Sequence, residues 1–162
     1  MIKYSELYEE NKRLEKLFNE SYPPNEEIFR KNILGLLVEI GELANETRCF
    51  KYWSVKPMSD KHIVLDELAD CIILIFVFLA DLNISLDEEF NEPENYDLID
   101  EFIYLYGLCS NIKENNNKEY IKNIFVNFIY LGRLLNYTDE DIIDACMKKI
   151  NKNKERIEDI HY

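Results

Sequence analysis

The chain contains Leu37-Val-Glu-Ile-Gly-Glu-Leu-Ala-Asn-Glu46 and, further along, Leu65-Asp-Glu-Leu-Ala-Asp70, two acidic segments on which its fold is built. Each segment carries one pair of acids, which are Glu39 with Glu42 and Glu67 with Asp70. Both pairs are spaced i, i+3, so the two carboxylates of a pair project from one face of a helix. The sequence therefore predicts two helices that each present an acidic face.

The connector between these segments predicts that the two acid pairs meet. Pro57 disfavours helix, and Ser59 or Asp60 is a suitable N-cap for the second helix. At about 1.5 Å per residue, both pairs lie on the order of 10 Å from the turn. If the helices pack antiparallel, the four carboxylates lie at one level and repel one another unless a cation lies between them. Hard oxygen ligands favour Mg²⁺ or Mn²⁺, so we interpret the four acids as a magnesium site, with Mn²⁺ as the substitute.

Acids at this spacing are more often a solvated helix face, and two features argue against that alternative here. Gly41 lies between the first two acids, although helix interiors disfavour glycine by about 1 kcal/mol relative to alanine. The apolar run 71–80 directly follows Asp70, so this carboxylate stands at the edge of a buried segment and needs a partner.

Composition limits the classes of protein to which the chain can belong. Its 162 residues are enough for one domain with a sizeable core, and we treat 1–162 as a single domain. The 19 lysines and arginines face 32 acids, and the net charge of −13 disfavours binding to nucleic acid or to an anionic membrane. The N-terminus has no apolar signal region, no apolar run is long enough to span a bilayer, and the four cysteines lack C-x-x-C spacing. We therefore expect a cytoplasmic protein with reduced cysteines.

Apolar periodicity is helical along nearly the whole chain, and four glycines and four prolines leave little room for a many-turned β fold. The predicted fold class is all-α, a compact bundle of about six helices. The predicted helices cover 4–20, 25–48, 60–83, 96–113, 119–136 and a last segment capped by Thr138, and residues 84–95 are predicted as a loop. The third helix is apolar nearly all round, which fits burial in the bundle or in a dimer core.

Two further segments carry groups suited to a nucleotide. Lys51 and Trp53, the only tryptophan, lie in the connector, where an indole could stack on a base and an ammonium could reach a phosphate. The alternative is that Trp53 packs the turn. Lys149, Asn153 and Arg156 fall at i, i+4 and i+7, so one helical face presents two cations and an amide to a polyphosphate. The alternative for this face is a solvated terminal helix whose cations complement its dipole.

Four motifs together resemble a known family. E-x-x-E falls on the first acid pair and E-x-x-D on the second. An aromatic-Lys-x-Trp element falls on Phe50, Lys51 and Trp53, and a C-terminal K-x-x-x-N-x-x-R…Y signature falls on Lys149, Asn153, Arg156 and Tyr162. In these motifs the chain resembles the dimeric, all-α dUTPases of bacteria and phages, which belong to the MazG-like all-α NTP pyrophosphatase superfamily.

The resemblance implies a homodimeric enzyme that hydrolyses dUTP to dUMP and pyrophosphate. The four acids would hold Mg²⁺ that polarises the α-phosphate and activates water for attack, and carboxylates would assist deprotonation of that water. Trp53 would flank the base. The phosphates would contact Lys149, Asn153, Arg156 and Tyr162, alongside Lys51.

Two positions depart from the family pattern, and both concern selection of the base. Ile73 stands where relatives often carry a histidine, and a glutamine that helps to read uracil in relatives aligns near Glu15. The final tyrosine also follows His161 rather than the usual glycine. Two alternatives therefore remain, an all-α pyrophosphatase for another nucleotide and a non-catalytic helical interaction protein.

Overall fold

The computed structural model describes residues 2–86, 93 and 97–160, and within them it confirms the predicted all-α class. Six helices and no strand occupy the described residues. The helices are α1 Tyr4–Ser21, α2 Glu26–Thr47, α3 Lys61–Asp81, α4 Leu98–Ser110, α5 Lys118–Leu134 and α6 Asp139–Ile160. Each predicted helix is therefore present, with ends that differ from the prediction by a few residues. The predicted loop 84–95 lies largely outside the described residues.

Side-chain caps explain where two of the helices begin. Asn25 precedes α2, and its Oδ1 accepts a hydrogen bond from the backbone N–H of Ile28 at 2.8 Å, as predicted from its residue type. Thr138 precedes α6, and its Oγ1 accepts from the N–H of Asp141 at 3.1 Å while Asp141 accepts from the N–H of Thr138. Asp60 takes the N-cap position of α3 without a side-chain hydrogen bond. The start of α3 therefore depends on packing rather than on a cap.

Helix α3 forms the centre of the fold, since it packs against α1, α2, α5 and α6. Every residue in 71–79 is buried except the half-buried Leu74, so the predicted all-round apolar helix is covered within one chain. The ring of Phe76 lies 5.4 Å from Tyr8 of α1 and 5.8 Å from Phe125 of α5. Removing this apolar surface from water stabilises the fold by about 25 cal/mol per Å². Within the described part of the chain, neither α3 nor any other helix has the length and apolarity that a bilayer span requires.

Helix α4 packs against α2 and α5 and leaves some of its apolar side chains in solvent. Phe102 is buried, but Ile103 is 65 % exposed and Ile99 is also exposed. Helical periodicity identified these positions as apolar, but it did not show that no described residue of the chain covers Ile99 or Ile103. We call the exposed apolar side chains of α2 and α4 the α2/α4 patch, which consists of Leu34, Val38, Ile99, Ile103 and Tyr106.

Gly41 is explained by the contact between α2 and α4, which is a different cause from the one that the sequence suggested. A Cβ atom at Gly41 would lie 2.8 Å from the hydroxyl oxygen of Tyr106. The glycine therefore allows the tyrosine to approach the backbone of α2. Its presence says nothing about the acids on either side of it.

Gly132→Ala is expected to destabilise the protein by about 1–3 kcal/mol, because the site has no room for a methyl group. Gly132 is buried on α5, and a Cβ atom there would lie 2.6 Å from Cδ1 of Ile142 and 3.0 Å from Cδ2 of Leu68. The added methyl would push α5 away from α6 and α3. Chemical denaturation would detect the loss as a lower midpoint.

Gly107→Ala is the matched control for this prediction. Gly107 is exposed on α4, and a Cβ atom there would meet nothing within 4 Å. Alanine is the better helix former, so this variant should gain up to about 1 kcal/mol in the free energy of unfolding. Equal changes in stability at the two positions would contradict the packing at Gly132.

Candidate active site

The two acidic helix faces meet because α2 and α3 run antiparallel. Near the start of α2, the ring of Phe29 lies 5.4 Å from that of Phe78 near the end of α3. Further along the two helices, one carboxylate oxygen from each of Glu39, Glu67 and Asp70 lies within 4.8 Å of the others. We call these three residues the acid cluster. The antiparallel packing assumed from the sequence is confirmed.

Burial and mutual repulsion raise the pKa values of the acid cluster. Burial raises the pKa of Glu39 to about 7, and the negative charges of Asp70 and Glu42 add to the effect. Burial also raises the pKa of Glu67 to about 7, again with contributions from Asp70 and Glu42. Glu42 itself is exposed and lies at the edge of the cluster. All four predicted acids are thus neighbours, and the carboxylate oxygens of three of them lie close together.

Two oxygen atoms of the cluster are buried without a partner. In the described part of the chain, neither Oε2 of Glu39 nor Oε2 of Glu67 accepts a hydrogen bond. A buried carboxylate oxygen in this state costs free energy unless a cation or a proton satisfies it. The donors are all hard carboxylate oxygens, which suit Mg²⁺ or Mn²⁺. The residues present therefore fit a divalent cation.

Lys149 neutralises one side of the acid cluster. Its Nζ lies 3.0 Å from Oδ1 of Asp70 and 2.9 Å from Oδ1 of Asp66, and its side chain is only 8 % exposed. Burial acts to lower the pKa of Lys149, but hydrogen bonds to the two aspartates outweigh it and the pKa is raised. Burial raises the pKa of Asp70 in spite of the lysine. One ammonium group therefore does not satisfy the cluster, and more positive charge would stabilise it.

Asp66 is a residue of the site that the sequence interpretation did not identify. It lies one turn before Asp70 on α3, and this i, i+4 spacing within the quoted acidic segment was the available signal. Lys149 was predicted to bind phosphate, and that stays a prediction. In the structure two carboxylates hold its ammonium group.

A cavity of about 280 Å³ opens beside the acid cluster. Its volume lies just below the range for small-molecule sites, about 300–1,000 Å³. Glu39 and Asp70 line this cavity, so part of the cluster forms its wall. Residues of α1, α2, α3 and α6 line this cavity, which we call the α1/α3 cavity. Its other polar lining residues are Glu15, Asn19, Tyr22, Asn32, Asp81 and Asn153.

Comparison with known protein families identifies the family to which this chain belongs. A sequence model described as dUTPase matches residues 3–161. The chain belongs to the dUTPase family. It is therefore an enzyme with a nucleotide substrate, a dUTP diphosphatase, and its all-helical fold agrees with the all-α dUTPases. Among curated proteins, no sequence matches it significantly.

Trp53 and Lys51 of this dUTPase lie in the connector between α2 and α3. Trp53 is 65 % exposed, and its ring stands edge-on to the rings of Phe50 at 6.2 Å and Tyr52 at 5.2 Å. Nζ of Lys51 lies 5.7 Å from the ring centre of Phe50. Neither residue lines the α1/α3 cavity. The exposure of Trp53 leaves most of the indole free, which disfavours a purely packing role.

The C-terminal motif of the dUTPase is divided between the cavity and the surface. Asn153 lines the α1/α3 cavity, one turn of α6 beyond Lys149. Arg156 is exposed and does not line the cavity. Tyr162 lies outside the described residues.

The two positions that depart from the family pattern both line the α1/α3 cavity. Ile73 is buried on α3, and Glu15 is half-buried on α1. From the sequence, only the resemblance to the family linked these two residues to selection of the base. Their shared position in one cavity is a separate structural observation.

Proposed function

We propose that this dUTPase hydrolyses dUTP to dUMP and pyrophosphate with Mg²⁺ as its cofactor, by attack of water on the α-phosphate. The observation that carries the proposal is the acid cluster, which contributes Glu39 and Asp70 to the wall of the α1/α3 cavity and has two buried oxygen atoms that lack a partner in the described residues. Membership of the dUTPase family supports the choice of nucleotide. Mn²⁺ has similar ligand preferences and should substitute.

The proposed mechanism assigns metal binding to Glu39, Glu67 and Asp70, with Glu42 at their edge. When bound, Mg²⁺ screens the phosphate charges and makes water a stronger acid. A carboxylate of the chain accepts the proton that the attacking water loses. As the water oxygen bonds to the α-phosphorus, the bond from that phosphorus to the bridging oxygen breaks and pyrophosphate leaves. Lys149 keeps Asp70 in place through their ion pair.

The triphosphate is proposed to extend along α6 and toward the connector. Lys149 and Asn153 lie at the acid cluster and in the cavity wall, which supports their assignment as phosphate contacts. For the remaining residues the support is their match to the family motif and their charge or hydroxyl group. These residues are Lys51, Arg156 and Tyr162.

The nucleoside is proposed to occupy the α1/α3 cavity, because that cavity begins at the acid cluster and is otherwise lined by amides, apolar groups, Tyr22 and the two acids Glu15 and Asp81. Trp53 does not line this cavity, so the placement of the base beside Trp53 in the connector is proposed as an alternative, which the exposed indole ring supports. Since it is the only tryptophan, a change in its fluorescence on addition of dUMP would report contact with the base. Unchanged fluorescence during saturating binding would remove Trp53 from the site.

Pyrophosphate release from a panel of dNTPs and NTPs, with Mg²⁺ and with EDTA, tests the proposed reaction. We expect release from dUTP that is lost in EDTA. Release from a different nucleotide would keep the mechanism and change the substrate to that of another all-α pyrophosphatase. No release from any nucleotide would contradict the proposal and favour a helical interaction protein.

A homodimer is also proposed, and the α2/α4 patch supports it. Exposed apolar side chains grouped on two helices that pack together, as α2 and α4 do, commonly mark an interface, and identical patches satisfy the self-complementarity that a two-fold dimer requires. Ile103→Asp should therefore shift the protein from dimer to monomer, because the substitution puts a charge in the middle of the patch. Sedimentation velocity measures the change in mass.

Val55→Asp provides the control for the dimer prediction. Val55 is fully exposed in the connector and lies outside the patch, so its substitution should leave the dimer intact. A wild-type protein that sediments as a monomer at high concentration would contradict the proposal.

A further inference from the structure

The ammonium group of Lys149 lies between two carboxylates that stand one turn apart on α3. Its Nζ lies 3.0 Å from Oδ1 of Asp70 and 2.9 Å from Oδ1 of Asp66. The two aspartates are spaced i, i+4, so their positions differ by about 6 Å along the helix axis. Lys149 is buried and belongs to α6, which packs against α3, so this packing keeps the ammonium group beside both carboxylates.

The two aspartates differ in their other neighbours. One oxygen of Asp70 lies close to oxygens of Glu39 and Glu67, whereas Asp66 is not a member of this acid cluster. The side chain of Asp70 is 26 % exposed, and that of Asp66 is 55 % exposed. Asp66 therefore carries its charge at little cost in solvation, and it meets the site through its ion pair with Lys149.

A divalent cation bound at the acid cluster would share Asp70 with the ammonium group. Two cations beside one carboxylate repel each other, and the repulsion is stronger where water screens it poorly. Lys149 then loses Asp70 as a full partner, although a buried ammonium group without a partner is costly. Asp66 supplies the remaining partner, because it already contacts Nζ and is not a member of the acid cluster.

We propose that Asp66 is a positioning residue of this dUTPase, which holds the ammonium group of Lys149 while Asp70 binds the metal. This inference rests on the proposed Mg²⁺ site. Before the metal binds, Lys149 keeps Asp70 in place. When Asp70 binds the metal, the ion pair with Asp66 remains and the ion pair with Asp70 is given up. An ammonium group has three N–H donors, so the donor released from Asp70 is free for a phosphate of the nucleotide.

The proposal makes Lys149 a competitor of the metal and makes Asp66 the residue that weakens this competition. A charge within about 4–6 Å changes the affinity of a carboxylate for a proton by about tenfold or more, and a metal ion responds in the same direction. Lys149→Met should therefore tighten the binding of Mn²⁺ by roughly tenfold, because it removes the cation beside Asp70. Asp66→Asn should weaken it by roughly tenfold, because the ammonium group then depends on Asp70 alone.

The test is the affinity for Mn²⁺ without nucleotide, measured by electron paramagnetic resonance, in which the signal of the free hydrated ion is lost on binding. Mn²⁺ replaces Mg²⁺ because it has similar ligand preferences. The wild type, Asp66→Asn, Lys149→Met and the double variant form a double-mutant cycle. Asp66→Asn should weaken binding roughly tenfold when Lys149 is present, and by less than about threefold when methionine replaces it.

Two control variants separate the ion pair from a general effect of charge. Asp144 is exposed on α6 and is not one of the two carboxylates that contact Lys149, so Asp144→Asn should bind Mn²⁺ as the wild type does. Asp66→Glu keeps a carboxylate for the lysine and should restore most of the affinity that Asp66→Asn loses. Thermal unfolding of the same samples identifies a merely structural ion pair, which would change Tm without the coupling in Mn²⁺ affinity.

An equal loss of Mn²⁺ affinity from Asp66→Asn with and without Lys149 would overturn the proposal, because Asp66 would then act on the metal directly. Lys149→Met that binds Mn²⁺ no more tightly than the wild type would overturn it as well. Asp66 is half-exposed, so Asp66→Asn should fold even if Lys149→Met does not. Unchanged Mn²⁺ affinity in Asp66→Asn would by itself overturn the proposal.

Asp70→Asn separates these outcomes from failure of the proposed function. If the wild type binds Mn²⁺, Asp70→Asn does not, and the cycle shows no coupling, then only the role of Asp66 is wrong. If Asp70→Asn binds Mn²⁺ as tightly as the wild type does, the proposed metal site fails and this inference fails with it. The same holds if the wild type neither binds Mn²⁺ nor hydrolyses dUTP.

Discussion

Asp70→Asn is expected to lower kcat/KM for dUTP in Mg²⁺ by about 10³-fold or more, because it removes one charge from the acid cluster that we propose holds the metal. The substitution keeps the size of the side chain, so the fold should remain intact. Asp70 is also a partner of Lys149 at 3.0 Å, and the amide oxygen can still accept a hydrogen bond from that ammonium. Pyrophosphate release, with circular dichroism to monitor folding, measures the effect.

Asp66→Asn is the matched control for Asp70→Asn. Asp66 contacts the same ammonium at 2.9 Å, but it is not one of the three acids whose oxygens converge. If Asp70 acts through the metal, this control should lose far less activity. Equal losses in the two variants would show that both aspartates act through Lys149, and unchanged turnover in Asp70→Asn would reject the metal assignment.

Removal of Mg²⁺ is expected to make the stability of the protein fall steeply with pH. Burial raises the pKa values of Glu39 and Glu67 to about 7, above the value of an unfolded glutamate. The folded protein then binds more protons than the unfolded chain between the two values, so the free energy of unfolding decreases as pH rises through that window. In EDTA the Tm should therefore be lower near pH 8 than near pH 5.

Mg²⁺ should reverse this loss, since it satisfies the ionised form of the acid cluster. At about 100 times its Kd, a ligand of the folded state adds about 2.7 kcal/mol, which is about 5–10 °C in Tm for a chain of this length. The gain should be small near pH 5, where protons compete for the carboxylates, and small in Asp70→Asn at any pH. An equal gain in wild type and Asp70→Asn would place the bound Mg²⁺ elsewhere.

Glu101→Gln is expected to show how much of the fall in Tm with pH comes from an acid outside the metal site. Glu101 is buried on α4, and in the described part of the chain neither of its carboxylate oxygens has a hydrogen-bond partner. Burial alone raises its pKa to about 7. Glu101→Gln should therefore remove part of the fall in Tm with pH in EDTA, and it should leave the gain from Mg²⁺ unchanged.

Local chemistry determined the helices of this protein. The 3.6-residue periodicity, the connector with Pro57 and the caps at Asn25 and Thr138 act within a few residues of one another, so the sequence alone predicts them. The same holds for the i, i+3 spacing that places both acids of a pair on one face. The antiparallel meeting of the pairs was assumed from the connector, and the packing of α2 against α3 confirmed it.

Tertiary packing decided which groups share a site. The ion pair of Lys149 with Asp66 and Asp70 joins α6 to α3, and Glu15 reaches the α1/α3 cavity from the other end of the chain. Periodicity placed Ile103 on an apolar helix face, but it did not show that none of the six described helices covers this residue. Contacts of this kind depend on how whole helices pack. A sequence pattern identifies the apolar face of one helix, but it does not identify the helix that packs against that face. The sequence by itself therefore determined the helices and the acids, and only the packed bundle determined the cavity, the counter-ion and the exposed patch.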